Sequence, residues 1–234
     1  MHSVLIFGAS GLGRLVLDIL RRNQNVSVRG FLDSDTSKHG RSIDGIPVLG
    51  GLDETPRLIR DGITHAVVAI GDNPTRVALG ERLRERGMRL MSAIHPLASI
   101  ASSATLDEHV IIGARAVICI HSTIGPHSVV STGAIVDHDS RIGAGAFLHP
   151  AVKLAGGVRV EPLVTLCIGC SVIPGRTIGR RARVEAGSVV IRDIGDGSRV
   201  TGVPARVVTD ENLDALAEIP AQVARLRRAA AHAR

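Results

Sequence analysis

The sequence predicts an α/β unit joined to a β-solenoid: a small Rossmann-like βαβ domain over residues 1–92, a left-handed parallel β-helix over 93–208, and a helical tail over 209–234. Three observations predict it. Short apolar runs alternate with amphipathic stretches through the first 92 residues. An aliphatic residue then recurs at every sixth position. The chain is 44% hydrophobic yet has no Trp, no Tyr and only three Phe, so its core must be built from Val, Ile, Leu and Ala. Closely stacked β-layers suit such a core.

In the first part, Ser3 to Phe7 reads as a strand that runs into Gly8-Ala9-Ser10-Gly11-Leu12-Gly13. A helix follows, with Leu12, Leu15, Val16, Ile19 and Leu20 on one face. Val28 to Leu32 is a second strand ending at Asp33, and Ile46 to Leu49 a third. Glu54 to Arg60 reads as a helix. His65 to Ile70 is a buried strand closing on Gly71-Asp72-Asn73. Pro74 sits in the first turn of a helix to Arg86, and Arg89 to Ala93 is a last strand.

From Ile94 the period becomes six. Seventeen positions from Ile94 to Val190 are all Ile, Leu or Val, without a slip. Four residues after each of the first sixteen stands Ala, Val, Ser or Cys, with Arg176 the one exception. A helix would repeat at three and four instead. Hexads are a β-helix signature: three close a triangular coil of 18 residues, and coils stack at about 4.8 Å. Each coil buries its apolar face only against its neighbours. Residues 191–208 are expected to leave the coil. In the tail, Leu213, Leu216, Ile219, Val223 and Leu226 can form one apolar stripe.

The net charge of +6 favours polyanionic partners. The cations are scattered and not interleaved with aromatics, which argues against nucleic acid. No segment is long and apolar enough to span a membrane, and MHSVLIFGAS is too short an apolar run for a signal peptide. Cys119, Cys167 and Cys170 form no disulfide framework. Cys167 and Cys170 have C-x-x-C spacing but fall on small-residue positions of the repeat, where packing explains them. A reducing cytoplasm is the expected location.

Residues 18 apart lie on adjacent rungs of one face, which turns the sequence into a contact map. His138 is thereby placed beside Ile120 and Gly156, and His109 on His127. In Asp137-His138-Asp139, a carboxylate next to an imidazole can orient a general base. Gly156 leaves space beside it, and its N–H can meet a developing oxyanion. Zinc would need three converging ligands, whereas His109 and His127 supply two. His95 and His149 read as surface positions. The G-x-x-G-x-G turn at Gly8–Gly13 can hold a phosphate, and Asp33 a ribose or base. This half is too short for a full dinucleotide domain.

GASGLG, FLD, AIGDN followed by Arg76, IHP, STGAIVDHD, LAGG and GVPAR, with the hexads between them, carry a resemblance over residues 3–208. The chain resembles the sugar O- and N-acetyltransferases of the sialic-acid O-acetyltransferase and bacillosamine-pathway type. The resemblance implies a homotrimer with active sites between subunits, acetyl-CoA as co-substrate, no metal, and a nucleotide-sugar on the small domain. It implies His138 as base, Asp139 as its acidic neighbour and Gly156 as the glycine facing the thioester. Ser10, Gly11, Leu12, Asp33, Ser34 and Gly71 fall where a uridine nucleotide-sugar is held. Phe147, Gly156, Ile168 and Ala186 fall where acetyl-CoA is met. The family commonly has His where this chain has Leu12 and Phe147, and His149 stands two residues beyond the second. Two further readings follow from the residues: a binding or assembly protein that has lost its donor contacts, and a zinc enzyme of the gamma-carbonic-anhydrase kind.

Overall fold

The computed structural model describes residues 1–208, and the helix expected over 209–234 lies outside the described residues. The first part is a six-stranded sheet made of β1 (His2–Phe7), β2 (Val26–Leu32), β3 (Ser42–Ile43), β4 (Ile46–Gly50), β5 (His65–Val68) and β6 (Arg89–Leu90). Their spatial order is β3-β4-β2-β1-β5-β6, all parallel except the β3–β4 hairpin. Helices α1 (Gly11–Arg21), α2 (Thr55–Arg60) and α3 (Asn73–Glu85) connect them. The α1 stripe differs by one residue from expectation. Leu17 is buried and Leu15 is 37% exposed, because the helix also packs against the solenoid and its buried face is turned toward it.

Arg89 to Ala93 is not one strand. β6 stops at Leu90, and Ala93–Ile94 already pairs with Ile111–Ile112 as the first rung of the solenoid. From there two-residue strands repeat every six residues and pair in parallel with those 18 away. They form three faces. The first holds Ile111–Ile112, Val129–Val130, Phe147–Leu148 and Thr165–Leu166 among others; the second includes Ile135–Val136 and Lys153–Leu154; the third includes Arg141–Ile142 and Arg159–Val160. The product is the left-handed β-helix that the hexads predict.

Its core is a single aliphatic column. Ile112, Ile118, Ile124, Val130, Val136, Leu148 and Leu154 are each no more than 1% exposed. Burying each contributes about 1.5–3 kcal/mol. The corners have a feature that hydrophobic periodicity alone does not reveal. Every sixth residue from His109 to Gly187 has a positive φ, between 56° and 70°. This turns the chain sharply enough to start the next face. Only six of these fourteen residues are glycine; the rest include His109, His127 and Asp139.

Residues 191–208 do not leave the coil at once. Arg183↔Arg199 and Ile178↔Ile194 extend the stack by a turn that is two residues short, and Arg206–Val207 then closes it antiparallel. The ladder tolerates this because only the strand pairs, not the corner lengths, need to stay in register.

The two parts share one core. Val16, Leu17 and Leu20 of α1 cluster with Ala93, Ile111, Val129 and Phe147 of the first face. Polar contacts cross the same seam. The Val68 N–H donates to His109 Nε2 at 2.8 Å, so that nitrogen carries no proton. His109 Nδ1–H therefore donates to His127 Nδ1 at 2.7 Å, and His127 Nε2–H to Glu81 at 3.1 Å. All four ring nitrogens are committed, which removes this pair as a zinc site. Among the described residues no cluster of three or more His, Cys, Asp or Glu could hold a metal ion.

Burial, and secondarily the His127 and nearby arginine charges, push His109 down to about 3. Because the folded value lies below the ordinary 6.5, the stability it contributes is present above pH 6.5 and is lost as pH falls toward 3. Between pH 7 and pH 5 the chain should lose about 2 kcal/mol from this group. Denaturant melts at the two pH values measure it, and His109→Gln should flatten the difference.

Candidate active site

His138 sits at the corner joining the second and third faces. Its Nδ1 lies 2.7 Å from Asp139 Oδ2, and its backbone N–H donates to Asp137 Oδ1 at 2.8 Å. Asp139 occupies one of the positive-φ corner positions, at 58°, and the turn there brings its carboxylate back onto the preceding imidazole. With Nδ1–H donated to Asp139, Nε2 is the free basic nitrogen. That nitrogen lies over Gly156, one rung along: a methyl at Gly156 would stand 2.5 Å from both Nε2 and Cε1. Any side chain at 156 would displace the imidazole. The Gly156 N–H donates to no acceptor among the described residues. A basic nitrogen and an N–H without an acceptor among the described residues thus sit on adjacent rungs, and a cleft of about 390 Å³ holding His138, Asp137, Ile120 and Cys119 opens beside the imidazole.

The hydrogen bond to Asp139, then the Asp137 charge, raise the His138 pKa above its ordinary value. The neutral, basic form therefore accumulates only above the usual histidine range. The acid limb of kcat/KM is expected above pH 6.5, and Asp139→Asn should move it downward while also lowering the plateau, because an amide fixes the tautomer less firmly. A pH–rate profile of the two proteins checks this. An unmoved limb would detach Asp139 from the imidazole.

The larger cleft, about 640 Å³, lies between the start of α3 and the first face, with Gly71, Asn73, Phe147, His149, Arg181 and Arg183 in its walls. His149 stacks on Phe147 with centroids 4.2 Å apart and planes 9° apart. Burial, then Arg183 and Arg76, hold His149 below its ordinary pKa. His149 is therefore a wall of this cleft and not the isolated surface residue expected. His95 is also not a surface position: it is 5% exposed, and its Nδ1 accepts the Leu97 N–H at 3.0 Å.

In chain comparisons, residues 3–83 match the PglD N-terminal domain. A histidine variant of perosamine N-acetyltransferase from Caulobacter crescentus, solved in complex with CoA and GDP-perosamine, is 40% identical. It superposes with a TM-score of 0.85, over 90% of this chain and 98% of that one. The chain belongs to this family of β-helix sugar acetyltransferases. It is an acyltransferase. The acetyltransferase domain of PglB from Neisseria gonorrhoeae FA1090, in complex with acetyl coenzyme A, is 29% identical with a TM-score of 0.79, over 88% of this chain and 99% of that one. WeeI from Acinetobacter baumannii AYE shares the fold at 22% identity and a TM-score of 0.79, over 89% of this chain and all of that one. No curated protein matches the chain in sequence.

In this acetyltransferase the glycine turn divides its labour. Gly8 has φ +113° and would meet the Ala69 carbonyl if it bore a side chain, and a Cβ on Gly13 would overlap the Gly8 carbonyl. Those two serve packing. Gly11 and Gly71 have open space around them, and Ser10, at the start of α1, makes no side-chain cap. Leu12 is half-buried against the core of the sheet domain. Asp33 is 7% exposed and already occupied: it accepts the Ala9 and Asp35 N–H groups and the Lys38 ammonium. Burial pushes its carboxyl up, but these bonds outweigh burial and leave it below the ordinary value. Asp33 thus ties the two loops together, a role that its place at a strand end does not reveal.

The remaining positions fall apart within one chain. Ile168 and Ala186 occupy the corner between the first and second faces, whereas His138 and Gly156 occupy the corner between the second and third. Phe147 is 8% exposed, held between His149 and the Arg76 guanidinium. Sequence reasoning named Arg76 only as part of a motif, yet it is fully buried. A lone arginine on a helix carries no mark of burial. The cleft residues Arg181 and Arg183 were likewise missed, since they read as ordinary solenoid surface.

Proposed function

We propose that the chain transfers an acetyl group from acetyl-CoA to an amino group of a nucleotide-activated sugar. The observation that carries this reading is the free Nε2 of His138 lying over the bare Gly156. Support comes from the relative that binds CoA and GDP-perosamine and from the acetyl coenzyme A complex of the PglB domain.

In this reading the sugar amine attacks the thioester carbonyl, and His138 Nε2 takes the proton that the new C–N bond releases. Asp139 orients the ring and stabilises the imidazolium. The Gly156 N–H stabilises the oxyanion. Collapse expels the CoA thiolate, which recovers the proton from His138 as free CoA thiol, leaving the N-acetyl sugar. Ser10, Gly11, Leu12, Ser34 and Gly71 are placed along the nucleotide-sugar, with Asp33 shaping its loop. Phe147, Ile168 and Ala186 are placed along the CoA arm.

The active unit of this reading is a homotrimer. The His138 corner and the Ile168 corner flank the second face, so a neighbouring coil packed there would unite what one chain keeps apart. Exposed Ile120, Ile135, Ile173 and Ile191 lie along that face and its edge, an apolar stripe suited to such packing. Incubation with acetyl-CoA and a set of nucleotide-amino sugars, reading free thiol, tests the transfer. Light scattering tests the assembly. No thiol release above the hydrolytic background with any acceptor would sink the reading.

A further inference from the structure

Most corners of the solenoid close on themselves. At Ala116, Ala134 and Ala182 the N–H of the small corner residue returns to the carbonyl three residues back, at 3.3, 3.1 and 3.1 Å. The two turns that carry His138 and Gly156 are built differently. The Asp137 carbonyl and the Ser140 N–H, which would close the first of them, both turn to a hydroxyl on the preceding rung. Ser122 Oγ donates to Asp137 O at 2.8 Å and accepts the Ser140 N–H at 3.3 Å. Ser140 repeats the device one rung on, around Gly156 and Gly157. Its Oγ donates to Ala155 O at 3.3 Å, lies 3.5 Å from the His138 carbonyl, and accepts the Val158 N–H at 3.2 Å.

Packing alone does not ask for hydroxyls here. Ser122 and Ser140 are fully buried, in a corner column that runs from Ala104 through them to Val158. A buried hydroxyl is tolerated where it is bonded, and both of these bond the backbone of a turn that carries a reacting group. Ser128 is buried as fully in another corner and donates to Gly143 O at 2.9 Å, yet that turn also closes through its own Ala146 N–H at 3.3 Å. Its hydroxyl is an addition. Those of Ser122 and Ser140 stand in place of the turn's own bond.

We propose that Ser122 and Ser140 are positioning residues, whose hydroxyls, lodged in these two turns, hold the His138 imidazole and the Gly156 N–H in the mutual placement that transfer requires. The proposal rests on the transfer reading above. Ser122 acts through His138 and Asp139, whose turn it pins at both ends. Ser140 acts through Gly156, whose N–H is aimed by the flanking peptide groups. Without the first hydroxyl, Asp137 O and the Ser140 N–H are left to bond each other, which draws the corner in and carries the imidazole with it. A displacement of about 1 Å is enough to cost roughly a hundredfold in rate.

Threonine and valine share one shape, and this column already accepts valine at 158, so the matched pair isolates the hydroxyl. Ser122→Val should lower kcat roughly tenfold or more, while KM for either substrate moves by less than about threefold. Ser122→Thr should bring kcat back to within about threefold of wild type. Ser140→Val and Ser140→Thr are expected to repeat the contrast. Ser128→Val controls for the loss of a buried corner hydroxyl: it should lower the melting temperature and keep wild-type kcat. Steady-state thiol release reads each protein, with melting temperature and assembly size alongside. If Ser122→Val does not fold, Ser122→Ala takes its place, since the same column carries alanine at 104. A valine variant at 122 or 140 that keeps more than about half of wild-type kcat would overturn the positioning role and leave the transfer reading standing. So would a threonine variant as slow as its valine partner, or Ser128→Val as slow as Ser122→Val. A wild-type chain that releases no thiol with any acceptor would take down both.

Discussion

His138→Ala is expected to lower kcat by roughly a hundredfold or more, within the range for loss of a general base. The imidazole places its free nitrogen over Gly156, and the Asp139 carboxylate already commits its other nitrogen. Without it, the proton released as the amine attacks must pass to water. The substitution should leave folding alone, because the side chain is exposed and its only side-chain bond among the described residues is to Asp139. KM for either substrate should change little if His138 acts on the moving proton and not on binding. Steady-state thiol release, with melting temperature and assembly size as controls, gives the answer. A variant that keeps more than about a third of wild-type kcat would exclude His138 as the base.

Arg76→Leu should produce the largest loss of stability. The guanidinium is fully buried between the two halves of the molecule and faces no carboxylate within ion-pair distance among the described residues. It donates to the carbonyls of His127 at 2.8 Å, Ile70 at 2.9 Å and Gly145 at 2.8 Å, and to Asn73 Oδ1 at 2.8 Å. Burial pulls it down to about 10, against a smaller upward push from Asp72, so it remains a cation at neutral pH. Leucine would leave these acceptors without a donor, at about 1–3 kcal/mol for a buried polar group. Removing a desolvated charge offsets part of that cost. The net expectation is about 3 kcal/mol, or roughly 6–12 °C in Tm for a chain of this size. Melts at fixed protomer concentration measure it. A loss below about 1 kcal/mol would mean that desolvation of the cation cancels its hydrogen bonds.

Asn73 extends the same seam, donating to Leu163 O, Val164 O and Thr165 Oγ1, each at 3.1 Å. Arg76 and Asn73 thereby hold the start of α3 against the first face, where the 640 Å³ cleft opens. A weaker seam should therefore be felt in substrate affinity as well as in stability.

The aliphatic ladder, the order of strands and helices in the first half, and the meeting of His138 with Gly156 were all legible in the sequence. Their geometry is set by fixed periods: two for a strand, 3.6 for a helix, 18 for a coil. A regular repeat converts residue number into position, so two residues 18 apart are neighbours before any coordinates are known. Even so, the corner conformation of Asp139 and the extra short coil beyond Val190 were not readable, since backbone dihedrals and corner lengths leave little trace in hydrophobicity.

What only the tertiary structure decided lies where the two halves meet or where loops from distant strands converge. The partners of Arg76, the bonds that tie His109 to Val68 and His127 to Glu81, and the occupation of Asp33 all join residues with no common period. Local sequence determines which backbone pattern each segment prefers, because dihedral sterics and side-chain alternation act over a few residues. Whether a charge ends buried, paired or open to a ligand depends on which surface folds over it, and that surface comes from elsewhere in the chain.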